Sequence, residues 1–148
     1  MAERLKRTTG YTLAIVFAAV GVVFLVIPGR VIAFFNGLWG PLGLPPAAGP
    51  DAPFFVVLAA AYMFVVTVLA WNAGAHPESR VFPRLLVMAK AASSLLSFGY
   101  FAFGAGHLIL LVNGVVDGAL ALLVLCVFLR SGTGRAAPET LGRQGDPP

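Results

Sequence analysis

Four stretches of the chain are apolar almost without interruption, and the polar positions gather between them and at the two ends. They span residues 9–27, 54–71, 85–103 and 108–129. Each is close to the roughly 20 residues that an α-helix needs to cross a hydrocarbon layer of about 30 Å. None shows the period-two alternation of a barrel strand. The pattern therefore predicts an all-α fold, an integral membrane four-helix bundle, with residues 1–130 forming one membrane domain.

The connections are short and differ in kind. Residues 30–36 are apolar and begin with one cation, Arg30, which predicts a short interfacial helix of one or two turns lying in the first outer loop. Prolines at 41, 45, 46, 50 and 53 prevent a helix in the rest of that loop, because they lack donors and clash with the preceding turn. Its apolar residues suit either lipid or a partner. Residues 72–80 read as a polar turn, with Pro77 separating the second span from the third. The tight Gly104-Ala105-Gly106-His107 link makes spans three and four an antiparallel hairpin. Residues 131–148, rich in Gly, Pro and charge, are expected to be a disordered cytoplasmic tail.

Composition agrees with this class and removes others. Of the 148 residues 59% are hydrophobic and 11% charged, against about 45–50% and about 25% in ordinary soluble domains. A soluble globular enzyme and a disordered chain are both excluded. The net charge of +4 matters through its distribution. One side collects Arg4, Lys6, Arg7, Arg80, Arg84, Arg130, Arg135 and Arg143, and the other only Arg30. The positive-inside rule then places both termini in the cytoplasm. Tyr11 and Trp71 would mark the inner interface and Trp39 the outer. No small-x-small cleavage site follows the first apolar run, so it is read as an uncleaved span and not as a signal peptide.

Two ionisable residues fall inside the spans, Lys90 in the third and Asp117 in the fourth. Counted from Ala105 at the outer turn, a rise of 1.5 Å per residue puts them at depths of roughly 22 and 18 Å. Opposite charge is the least costly partner for either ion in such a medium, so the spacing predicts a Lys90–Asp117 pair. Lys90, Ser94 and Ser97 share one helical side, together with Phe101, and Asn113 and Asp117 are one turn apart. Gly114, Gly118 and Ala121 supply a close-packing face.

Three readings of this constellation stand side by side. The pair neutralises itself and, with Ser94 and Asn113, fixes helix register. Alternatively, the same groups line a cavity for a polar head group, a quinone ring or a proton. In the third, Lys90 snorkels to the cytoplasmic interface and leaves Asp117 protonated.

Other chemistry has little support. His76 and His107 are expected on opposite sides of the bilayer, so no shared metal is predicted, and no HExxH motif accompanies them. Ser93, Ser94 and Ser97 lack a G-x-S-x-G elbow. Cys126 is the single cysteine, which removes an internal disulfide and a CxxC redox pair. No catalytic residue and no metal ligand are assigned.

The runs Ile27-Pro28-Gly29-Arg30-Val31-Ile32-Ala33-Phe34-Phe35, Leu69-Ala70-Trp71 and Asn113-Gly114-Val115-Val116-Asp117-Gly118 resemble the small four-helix bacterial membrane families grouped around DoxX, over about residues 10–130. That resemblance implies a shared topology, a location in the bacterial cytoplasmic (inner) membrane and, for some relatives, links to respiratory or redox membrane complexes. It carries over no catalytic residue.

Two functions follow as expectations. The first is a non-catalytic accessory or assembly subunit of a larger membrane complex, or a homo-oligomer, with membrane lipid as its surroundings, no cofactor and no nucleic-acid partner. The second is a quinone- or isoprenoid-lipid-binding protein, or a small redox-linked membrane enzyme, that uses the Lys90/Asp117 face.

Overall fold

In the computed structural model, which describes residues 2–39, 43, 45–46, 53–104 and 106–129, all regular structure is helical. Helix α1 spans Ala2–Val26, α2 Pro28–Trp39, α3 Pro53–Ala75, α4 Val81–Phe103 and α5 Leu108–Val124; the last continues as a π-helical turn, Leu125–Leu129. Four of these segments are long and apolar enough to cross a membrane. Their outward sides are apolar as well: Ile15, Phe64, Leu95 and Leu122 are each more than three-fifths exposed. A soluble bundle would place polar residues there.

The helices outrun the apolar stretches at several ends. α1 begins at Ala2, well before Thr9, because Arg4, Lys6 and Arg7 continue a helix that hydropathy alone does not register. The expected one or two turns at 30–36 are a twelve-residue helix, α2, with Pro28 at its first position, where a missing N–H costs nothing. The turn expected over 72–80 starts later, since α3 runs on to Ala75. The cause is a close crossing with α1: a Cβ built on Gly10 would lie 2.5 Å from the Cα of Gly74, so the two backbones touch there. α4 starts at Val81, with Pro83 tolerated in its first turn. The tail at 131–148 and most of the proline-rich loop lie outside the described residues.

α1 packs along α3, α4 packs along α5, and α3 joins the two pairs through α4. We call the end holding Ala2 and the 76–80 turn the base, and the end holding α2 and the 104–107 link the top. At the base, Lys6 Nζ donates to the Pro77 carbonyl (3.4 Å), and the rings of Tyr11 and Trp71 meet edge-on at 4.8 Å. The apolar core lies in this half, built from Leu13, Phe17, Val66, Leu86, Val124 and Phe128. The buried positions of α1, Gly10, Leu13, Ala14 and Phe17, follow the i, i+3, i+4, i+7 stripe of a helix with one packed side. At the top, α2 touches both α1 and α5, and the His107 ring nitrogen Nδ1 lies 2.9 Å from the Pro45 carbonyl.

A buried ion pair on the wall of an apolar cavity

Lys90 lies midway along α4, on the buried stripe that also holds Leu86, Ser94 and Ser97. Asp117 lies on the buried stripe of α5 with Gly114, Ala121 and Val124. The antiparallel α4–α5 hairpin brings them level, and Lys90 Nζ donates to Asp117 Oδ1 at 2.8 Å. Lys90 is 2% exposed and Asp117 4%. Lys90 therefore does not reach the interface, and the snorkelling reading is overturned: the carboxylate at matching height is within reach without any detour through apolar surroundings.

The ammonium is also enclosed by the other two long helices. It stands 4.6 Å from the ring centroid of Phe17 on α1 and 5.1 Å from that of Tyr62 on α3. The negative face of an aromatic ring attracts a cation, by about 0.5–2 kcal/mol depending on solvation. The Tyr62 hydroxyl donates to the Ala89 carbonyl at 3.1 Å, which holds its ring against α4. All four long helices thus converge on one side chain.

Around the pair the α4–α5 seam is polar. The Ser94 hydroxyl donates to the Gly114 carbonyl at 2.7 Å, and the Asn113 amide donates to Ser97 Oγ at 2.8 Å and to Ser93 Oγ at 3.3 Å. Two glycines make room for these contacts. A Cβ on Gly118 would fall 3.0 Å from Ser94 Oγ, and one on Gly114 would fall 3.2 Å from the Phe98 ring. Phe101, the next position on the Lys90–Ser94–Ser97 side of α4, is half-buried and lies near Gly106 at the hairpin link. Ala121 is buried one turn further toward the base.

A cavity of about 600 Å³ opens from the pair toward the top, between α1 and α5. Its polar groups, Tyr62, Lys90, Ser93, Asn113 and Asp117, come from α3, α4 and α5; the remaining lining is apolar, with Val16, Val20 and Val116 among its members. Sites for small amphiphilic molecules share this design of an apolar hollow with a few convergent polar groups.

Lys90, Asp117, Ser94, Ser97 and Asn113 thus all lie on the α4–α5 seam in three separate hydrogen-bonded groups, Lys90 with Asp117, Ser94 with the Gly114 carbonyl, and Asn113 with Ser97 and Ser93, whereas Phe17 and Tyr62 join the site unforeseen. Tyr62 carried a signal, since a hydroxyl in an apolar run must find a partner. Phe17 carried none. His76 stays apart at the base, 3.6 Å from the Glu78 carboxylate, and His107 at the top. Among the described residues no three His, Cys, Asp or Glu side chains are grouped to hold a metal ion. No family model, curated protein or solved structure matches the chain.

Proposed function

We propose that this is an integral membrane protein that binds an amphiphile, of the quinone or isoprenoid-lipid class, with its head against Lys90 and Asp117. The observation that carries the reading is the cavity of about 600 Å³ whose otherwise apolar lining holds a buried ion pair. A pair serving helix register alone needs no hollow beside it, and close packing would normally fill one. The accessory-subunit expectation has no feature of its own among the described residues, so ligand binding is the reading carried forward.

The surrounding arrangement is part of the same proposal. Both termini lie in the cytoplasm of a bacterial cell, as the basic residues at the base favour. The helix α2 lies in the outer interface and covers the top of the cavity, and kinship with the DoxX-like families remains a proposal resting on short motifs.

The test is a solvent extract of protein purified in mild detergent, compared with an Ala59→Phe variant that fills the hollow Ala59 lines. The reading predicts about one amphiphile per chain in the first extract and its loss from the second. Extracts that do not differ would contradict it.

A further inference from the structure

Resting on that reading, we infer that the bound head group is neutral and bears a hydroxyl, an alcohol or phenol in place of a phosphate ester, and that it reaches the cavity sideways from the bilayer between α1 and α5.

Charge balance comes first. The charged side chains lining the cavity are Lys90 and Asp117, and they are bonded to each other. Whichever of the two holds the proton, the pair sums to zero. An anionic head would enter with no further cation on the lining, and an uncompensated charge in a low-dielectric hollow is costly. Arg30, shortly after Phe24, and Arg84, shortly before Lys90, are exposed and do not line it.

The hydrogen-bond inventory narrows the head further. Among the described residues Asp117 accepts one hydrogen bond, through Oδ1, and Lys90 donates one of its three. Asp117 Oδ2 is therefore an acceptor to spare, and the remaining Lys90 N–H groups face the Phe17 and Tyr62 rings, weaker acceptors than a head-group oxygen would be. A hydroxyl donates to one and accepts from the other. An ether or ketone only accepts, which leaves a buried carboxylate oxygen short of a partner.

The route follows from packing. α1 lies along α3 and α5 along α4, so the side between α1 and α5 is where the cavity opens. Val16, Val20 and Val116 line it and are 45%, 36% and 48% exposed, so its rim belongs to the outer apolar surface. The top is crossed by α2.

The test uses the full chain in phosphatidylcholine nanodiscs with two tail-matched probes, tritiated farnesol and farnesyl phosphate. Saturable binding of farnesol tighter than that of the phosphate by about tenfold or more is expected. Asp117→Asn, which leaves the lysine uncompensated, is expected to move the ratio toward the phosphate. Equal binding, or a preference for the phosphate in the unaltered protein, would overturn the inference while leaving amphiphile binding intact. Binding of neither probe would overturn both. For the route, Val20→Trp with Val116→Trp should slow farnesol association, and Leu95→Trp on the outward side of α4 should not; equal rates in the two variants would rule out lateral access.

Discussion

Gly10 and Gly74 mark the point where α1 and α3 touch backbone to backbone, with 2.5 Å between a Cβ built on the first and the Cα of the second. Neither backbone can yield as a flexible side chain does. Gly10→Ala should therefore lower stability in detergent by about 1–3 kcal/mol, the usual cost of overpacking. Gly99→Ala is the matched control, since nothing lies within 4 Å of its Cβ position. It should be neutral or gain up to ~1 kcal/mol from helix propensity. Reversible unfolding of both variants checks the contrast.

The ion pair should behave as a coupled unit. Asp117→Leu leaves Lys90 buried and unpaired, with an expected loss of about 3–5 kcal/mol. Lys90→Met combined with Asp117→Leu removes both charges at similar volume, and stability should return to near that of the unaltered chain. A double-mutant cycle in micelles measures the coupling, and additive losses would contradict a direct interaction.

A second coupling is predicted where Gly118 meets Ser94. A Cβ at 118 would press on Ser94 Oγ, which donates to the Gly114 carbonyl. Gly118→Ala should thus be destabilising in the unaltered chain and nearly neutral once Ser94→Ala has removed the hydroxyl. Ser94→Ala alone should cost about 0.5–1.5 kcal/mol, one net hydrogen bond. Equal effects of Gly118→Ala in both backgrounds, read by thermal unfolding, would argue against the contact.

The four long helices were legible from hydropathy because lipid-facing and core-facing positions are both apolar, so a span reads as one unbroken run. Their ends were less so. Hydropathy senses where lipid is, whereas the start of α1 at Ala2 and the extension of α3 to Ala75 depend on backbone hydrogen bonding and on the Gly10–Gly74 crossing. The meeting of Lys90 and Asp117 could be reached by counting residues from the hairpin link, since opposite charges stand out against an apolar background. Phe17 and Tyr62 do not stand out, and which aromatic faces the ammonium is decided by how α1 and α3 pack, a relation between distant segments.

Topology supplies a further check. In a Cys126→Ala background, Gly37→Cys on α2 should react with a membrane-impermeant maleimide in intact spheroplasts, and Ser79→Cys in the 76–80 turn only after lysis. The reverse pattern would turn the molecule over and place the termini outside.

The most direct measurement is photocrosslinking with a prenol that carries a diazirine beside its hydroxyl, followed by peptide mapping. The account predicts crosslinks on the peptides holding Lys90, Asn113 and Asp117, and their loss when Ala59→Phe fills the cavity. Crosslinks confined to the outward side of α4, at Leu95, Leu96 and Tyr100, and unchanged by Ala59→Phe would contradict it.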